Sequence, residues 1–374
     1  MTLAMAPPDI HDRRGSWVPT LSMITTRAME IRRRRGLMIA LAVVTIGIPC
    51  LFLAIRLIAH GADPKAYGPA GGYDIYTAMV AGVLYVFGFI MAATVGANAG
   101  STDLTDGMFR HLVITGRSRV ALYLARIPAG LAIVCSMVAV GFTIVCVVCV
   151  FAAPTSVDFD GVQLPAGLTM VQLENFAAHH VTEVLCDFSG PTPLSVNCGG
   201  PGPGGSVHVI HVPPGVTSTP STQAQLRADA ESFARSNYRD YARMFLTPST
   251  TLMVESGLWV ELEALIGFMV GLGLASLLGQ RTVAVILMII LEIILTPLLA
   301  REPIAHLINL QRGLVGLGTA HLEPSALPRA LGGGGPNGMG TLVPEPRLVA
   351  VLVIVGWLVV WTALGAWRMA KREA

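Results

Sequence analysis

The chain has 374 residues, of which 53% are hydrophobic and only 13% charged, and its net charge is +2. Ordinary soluble domains carry roughly a quarter of charged residues, so this composition excludes a water-soluble globular fold for most of the chain. A net charge this small gives no indication of nucleic-acid binding. The composition therefore predicts an integral membrane protein.

Six apolar stretches are long enough to cross a bilayer as helices, which takes about 20 residues each. Their predicted bounds are 37–59, 75–98, 120–153, 257–278, 282–300 and 348–367. Lipid offers the backbone no hydrogen-bond partners, so each stretch must satisfy its own backbone as a helix. The first stretch is too long for the apolar part of a signal peptide, so we expect it to remain as a helix. The predicted fold class is an all-α polytopic protein with six transmembrane helices.

The orientation follows from the distribution of Lys and Arg between alternate loops. With the N-terminus inside, the cytoplasmic pieces contain 14 basic residues, and the external pieces contain 9 in more than twice the length. Both termini are therefore predicted to be cytoplasmic.

This orientation divides the chain into six regions. They are a cytoplasmic N-terminus at 1–36, spans one to three at 37–153, an external loop domain at 154–256, spans four and five at 257–300, an external or partly re-entrant loop at 301–347, and span six with a cytoplasmic tail at 348–374.

Two cytoplasmic segments have the pattern of amphipathic helices. Before the first span, an apolar stripe with arginines at its end predicts a helix in the headgroup layer, and the alternative is a basic anchor without a defined helix. Between spans two and three, within 101–117, Leu104, Met108 and Leu112 share one helical face, and Phe109 lies beside them. An apolar face in the cytoplasm must be covered by a partner or by lipid. Both alternatives stay open for this segment.

The external loop at 154–256 is long enough for a small folded cap. Its spacing predicts a helix around 171–184, a short strand near 207–212 and an amphipathic helix over 223–245. Cys186 and Cys198 are the two cysteines outside the apolar stretches, and both lie on the predicted oxidising side. We expect a disulfide between them, against the alternative of two free thiols.

Several residues within the spans are candidates for function. Glu292 lies near the middle of the fifth span, where a charge usually faces a cavity or a partner, so we assign it to the pathway or to a dimer seam. Gly267 and Gly271 permit close helix approach, either within the chain or across a dimer. Glu261 and Glu263 lie near the external end of the fourth span and are expected to be solvated. Pro49 and Pro297 are expected to kink or end helices. The external histidines match no metal-ligand spacing, so no metal is predicted.

Taken together, these features resemble the permease subunits of type 2 ABC transporters, which export drugs, lipids and polysaccharides in bacteria. The resemblance rests on the basic run at 30–35, the segments 106–112 and 118–119 after the second span, the Gly-rich end of the fourth span at 271–279, and the helix-like stretch before the sixth span. The family often has Glu before the glycine of the coupling segment and Pro near its second turn, whereas this chain has Asp106 and Gly116.

The resemblance implies an exporter in the bacterial cell membrane, built from two identical or homologous permease chains and driven by separate ATPase subunits. It assigns the ATPase contact to Asp106, Met108, Phe109, Arg110 and Leu112. The sequence contains no G-x-x-x-x-G-K-[ST] loop, so ATP and magnesium are expected on the partner rather than on this chain. It also lacks G-x-S-x-G, and no histidine lies in the predicted spans, so an enzyme is not expected. The alternative functions are a non-transporting scaffold or sensor with a ligand-binding cap, and an ion-driven carrier.

Overall fold

The computed structural model is mostly helical. It describes residues 18–63, 67–105, 118–159, 162–180, 195–198, 208–211, 220–300, 303–304, 306–327 and 342–371. Within these residues, six helices are long and apolar enough to cross a membrane, which confirms the predicted number. These spans are Arg35–Ala62, Tyr73–Ser101, Arg119–Phe151, Thr250–Leu278, Arg281–Ala300 and Arg347–Lys371.

Most predicted boundaries agree within a few residues, but the fourth span begins at Thr250 instead of 257. Ser249 provides its N-cap, because the Ser249 hydroxyl accepts a hydrogen bond from the Leu252 N–H at 3.2 Å. At the other end Gly279 adopts a left-handed conformation with φ of 73°, which ends the helix. The polar residue Glu255 in the first turns hid this extension from a hydropathy pattern.

Three spans contain π-helical segments, and the helix of the third span is interrupted by a turn at Ala125. The first span consists of Arg35–Ala42, the π segment Val43–Gly47 and Ile48–Ala62, and the second consists of Tyr73–Ala78, the π segment Met79–Leu84 and Tyr85–Thr105. The third consists of Arg119–Leu124 and Arg126–Phe151. The fifth consists of Arg281–Ile289, the π segment Ile290–Leu295 and Thr296–Ala300. Pro49 and Pro297 each follow a π segment by two residues. A proline cannot donate to the preceding turn, and a widened turn accommodates its ring.

The chain forms two compact units, and the larger one comprises residues up to Phe52 together with 77–147 and 249–374. The second and fourth spans pack against each other along their length and are the two most buried spans. The core beside this contact includes Phe89, Ala93, Ile266, Val270, Met288, Val315 and Ile354. The faces of the remaining spans are largely exposed, as expected for helices that contact lipid.

An amphipathic helix, α1 (Leu21–Arg33), precedes the first span, as the pattern predicts. Its apolar side packs through Met23 on Ala121, Leu122 and Ala125 at the start of the third span. The helix ends where Arg34 takes a ψ of 74°, and the first span begins at the next residue. Its placement in the headgroup layer stays a prediction.

Two of the six short helices outside the spans lie between spans five and six and are tied to both. They are α5 (Ile308–Arg312) and α6 (Val315–Leu322). Gln311 donates to the Leu299 carbonyl at 2.7 Å, and the Trp357 indole donates to the Gly313 carbonyl at 2.8 Å. Leu317 and Ala320 of α6 are buried in a cluster with Leu342 and Val343. The region 301–347 therefore contributes to the core of this unit.

The second unit, here called the cap, comprises 53–76 and 148–248 and therefore includes one end of each of the first three spans. Its other helices are α2 (Met170–His179), α3 (Pro220–Ser236) and α4 (Tyr238–Met244). The helix predicted over 223–245 is thus interrupted at Asn237. Two antiparallel strand pairs are also present, Ser156–Phe159 with Val162–Pro165 and Ser195–Cys198 with His208–His211. The strand His208–His211 agrees with the short strand predicted near 207–212, whereas the pair Ser156–Phe159 and Val162–Pro165 is not among the predicted elements. The described residues are mostly helical, as the predicted fold class requires.

The cap has a small core of its own. Leu164, Leu173, Ala177, Ala230, Ala234 and Tyr241 are buried together. The Tyr241 hydroxyl donates to the Pro165 carbonyl at 2.7 Å and accepts from the Leu168 N–H at 2.9 Å. Ion pairs at the surface join Arg235 to Glu174 and Arg243 to Asp74. The core thus ties the hairpin at 156–165 to helices α2, α3 and α4.

Candidate functional site

Glu292 lies inside the larger unit rather than on its surface. It is carried by the π-helical segment of the fifth span, and only 2% of the residue is exposed. The Tyr85 hydroxyl donates to Glu292 Oε1 at 3.4 Å, and the Thr296 hydroxyl lies 3.5 Å from Oε2. Both distances are long for hydrogen bonds of this type, so they compensate only a part of the cost of burying a carboxyl.

A second carboxyl, Glu263 of the fourth span, is buried close enough to Glu292 to interact with it electrostatically. Glu263 is 1% exposed and lies beside Thr319 of α6, but neither of its oxygens makes a hydrogen bond of good geometry. One turn earlier, the Trp259 ring stacks on the Tyr85 ring with centroids 5.0 Å apart. The two carboxyls and this aromatic pair form one polar cluster between the second, fourth and fifth spans.

Helix α6 covers this cluster. The Trp259 indole donates to the Thr319 carbonyl at 3.2 Å, which joins the fourth span to α6. At Gly316 a side chain would overlap with the Glu292 carboxyl and would lie 2.6 Å from Thr296 Cγ2. Glycine is therefore required for α6 to approach the fifth span this closely.

The cluster is a costly arrangement in a membrane-spanning region. Within the described part of the chain, neither Glu263 nor Glu292 forms an ion pair, and Glu323 at the end of α6 adds a third acidic group within electrostatic range of Glu263. Buried charges without a counter-charge are strongly destabilising, and polar residues at this depth usually mark a pathway or a proton site. The described residues include no group of three metal-ligating side chains.

The predicted site residues of the spans fall into two groups. Glu292 faces the interior of this chain, and its assignment to the pathway stays a prediction. Gly267 and Gly271 face the second span, since a Cβ at these positions would lie 2.9 Å from the Phe89 carbonyl and 2.5 Å from the Ala93 carbonyl. The two glycines therefore allow close helix approach within the chain, which is one of the two predicted alternatives. The second span occupies the face that a dimer contact through these glycines would need. The expectation that Glu261 and Glu263 are solvated is wrong, because the carboxyl oxygens of both residues are buried within the protein.

The remaining predicted residues lie outside the described part of the chain. The ATPase-coupling residues Asp106, Met108, Phe109, Arg110 and Leu112 fall between the end of one helix at Thr105 and the next described residue, Ser118. Cys186 also lies outside, and Cys198 is described only as part of a strand. The predicted disulfide therefore stays a prediction. Among the described residues, Cys50, Cys135, Cys146 and Cys149 form no disulfide.

The sequence does contain a signal for the residues that the predictions missed. Trp259, Glu263, Gly267 and Gly271 are spaced by four and therefore lie along one face of the fourth span. The glycines identify this face as the one in close contact with the second span. Extending the same spacing by two turns predicts that Trp259 and Glu263 are buried on it as well. No comparable signal identifies Tyr85 or Thr319.

No protein-family model, curated protein or solved structure matches this chain. Its class therefore follows from its own architecture. The chain is a multi-pass membrane protein with six apolar helices, two short helices packed between the last two of them, and a folded cap that interrupts the spans after the third.

Proposed function

We propose that this chain is the membrane-spanning subunit of an ATP-driven ABC exporter, which works as a dimer and is powered by a separate ATPase. The observation that carries the proposal is the order of the helical elements. An amphipathic helix leads into the first span at Arg34, and two short helices fold back into the bundle before the sixth span. These are two of the features on which the resemblance to type 2 ABC permeases rests, and both lie in the described residues.

Within this proposal, α6 and the carboxyl cluster form the closed end of the pathway. Helix α6 covers the polar side chains of the second, fourth and fifth spans. It can approach them this closely because Gly316 has no side chain at its contact with Glu292. Separation of α6 from the fifth span would expose Glu292 and Glu263 to the space between them. Burial of these carboxyls is costly, so the free-energy cost of separating α6 from the fifth span is lower than it would be if both positions were apolar. The carboxyls would then form a polar lining of the opened pathway.

The proposal assigns energy coupling to the cytoplasmic segment 106–112. Phe109 is its largest apolar residue, so burial of Phe109 in a groove of the ATPase should contribute most to the contact. Truncation of a buried interface anchor costs about 2 kcal/mol or more, which weakens association by about 30-fold.

The experiment is affinity purification of the tagged chain from its own membranes, followed by identification of co-purifying proteins and measurement of ATP turnover in reconstituted vesicles. We expect an ATPase with a phosphate-binding loop, recovered with the wild type and lost with Phe109→Ala. Phe151→Ala is the matched control, because Phe151 lies at the predicted external end of the third span and is 85% exposed. Absence of any ATPase from the wild-type preparation would favour the scaffold or sensor function instead.

A further inference from the structure

A basic cleft lies between α1 and the ends of the first three spans, apart from the carboxyl cluster. Its volume is about 360 Å³ including the open mouth. The lining residues are Arg27, Glu30, Ile31, Arg34, Leu37, Val95, Asn98, Ala99 and Arg126. Three arginines from two segments thus line a cleft whose lining also includes one glutamate.

The arginine of the third span is unusually well buried. Arg126 is 2% exposed, and it donates to the neutral Gly100 carbonyl at 3.3 Å. Arg27 has a side chain that is 11% exposed and pairs with Glu30 at 2.6 Å, and Arg34 is 3.9 Å from the same carboxyl. A guanidinium has five N–H donors in a fixed fork, so one group can contact several acceptors at once.

The other half of the lining is apolar and comes from Ile31, Leu37, Val95 and Ala99. A site for a free ion would not need this surface, whereas a phosphate that is attached to a glycerol and acyl chains would use both halves. The cleft also lies where α1 meets the ends of the spans, on the side that the basic loops assign to the cytoplasm. This is the depth at which the headgroups of the inner leaflet lie.

We propose that this cleft binds the phosphate headgroup of an anionic phospholipid. Arginine guanidinium groups bind phosphate through paired, charge-assisted hydrogen bonds, and Arg27 of α1 and Arg126 of the third span both line the cleft. Glu30 competes with the phosphate for Arg27 and Arg34. The bound lipid holds α1 against the third span, where Met23 already packs on Ala121 and Leu122. The site does not depend on the proposed transport function.

The test measures the affinity of the purified full-length chain for phosphatidylglycerol and for phosphatidylcholine by native mass spectrometry from detergent. Loss of one charge-assisted contact weakens binding about tenfold, so we expect this reduction for Arg27→Gln and for Arg126→Gln. Arg33→Gln is the matched control, because it removes the same charge from α1 at an exposed position outside the cleft, and its affinity should stay within about twofold of the wild type.

One variant should change the affinity in the opposite direction. Glu30→Gln removes the competing carboxylate, so phosphatidylglycerol should bind about threefold more tightly. A merely structural role of the cleft would predict weaker binding for this variant too. Circular dichroism checks the fold of Arg126→Gln, and Arg27→Gln tests the site independently because it lies on a peripheral helix.

Three results would overturn the proposal. The first is equal weakening by Arg33→Gln and Arg27→Gln, which would indicate general attraction to basic residues. The second is equally tight binding of phosphatidylcholine. The third is displacement of the lipid by inorganic phosphate at a similar concentration, which would assign the cleft to a soluble phosphate compound.

Discussion

Gly316 of α6 lies so close to Glu292 of the fifth span that a methyl group at 316 would overlap with the carboxyl oxygen. The contact joins the one polar residue at the middle of this span to the helix that covers it. A small change at either residue should therefore change the stability of the contact between α6 and the fifth span.

Gly316→Ala should therefore destabilise the protein. Inserting a methyl group into a closely packed contact costs about 1–3 kcal/mol, and the added atom would also press on Thr296. The measurement is the thermal unfolding midpoint of the purified chain in detergent, which should fall. Gly356→Ala is the matched control, since a Cβ at this position in the sixth span would meet nothing within 4 Å and alanine favours a helix. Equal midpoints for the two variants would contradict the observed contact.

Glu292→Leu tests the role of the carboxyl itself. Leucine removes the cost of burying a carboxyl but leaves the Tyr85 hydroxyl without its acceptor, and these effects are of similar size at about 1–3 kcal/mol. The unfolding midpoint should therefore change little, while ATP turnover of the reconstituted complex should fall. Glu255→Leu makes the same chemical change at an exposed position of the fourth span and should leave both quantities near the wild-type values. Unchanged turnover for Glu292→Leu would leave this residue with a structural role alone.

Tyr241→Phe should loosen the cap. The Tyr241 hydroxyl bonds to two backbone groups, Pro165 O and Leu168 N–H, and its loss leaves both without this partner at a cost of about 1–3 kcal/mol. Burial also raises the pKa of Tyr241, so the hydroxyl stays protonated and able to donate at neutral pH. Hydrogen exchange of the peptides over 162–180 should become faster. Tyr67→Phe, at an exposed position of the same unit, should not change it.

The sequence could predict the spans, but not the way in which they meet. Hydropathy predicts six helices because the bilayer imposes length and apolarity on each of them. It measures depth along a helix, however, and not the face on which a residue lies. Glu263 was therefore expected to be solvated near the end of its span, although it lies on the same face as Gly267 and is enclosed. The π-helical segment that carries Glu292 has no sequence signal of its own beyond the proline that follows it.

The cap was less predictable for a different reason. Its helices have recognisable spacing, but the break at Asn237 and the hairpin at 156–165 depend on contacts between distant parts of the loop. The strongest local sequence signal for that hairpin is the Asp-Gly pair at 160–161. The stretches on either side of it are too short and too polar for a hydropathy pattern to distinguish them from a loop.

The position of Glu345 predicts a pH dependence of the protein's stability. It precedes the sixth span, is 9% exposed, and neither of its oxygens has a hydrogen-bond partner among the described residues. Burial raises the pKa of Glu345 above its ordinary value, and the nearby His321 and Arg312 offset a part of this effect. The folded protein therefore binds this proton more tightly than the unfolded chain does.

Because the pKa of Glu345 is raised by folding, this residue contributes stability at low pH that is lost as the pH rises from about 4.3, the ordinary glutamate value, through the folded value. Glu345→Gln keeps the shape of the side chain and cannot ionise. It should therefore raise the unfolding midpoint at pH 7 relative to the wild type, and this difference should disappear at pH 4. Glu255→Gln, at an exposed position, is the control and should show no such pH-dependent difference. A midpoint for Glu345→Gln below that of the wild type at pH 7 would instead mean that the carboxylate forms a favourable pair with Arg312 or His321 that outweighs its burial.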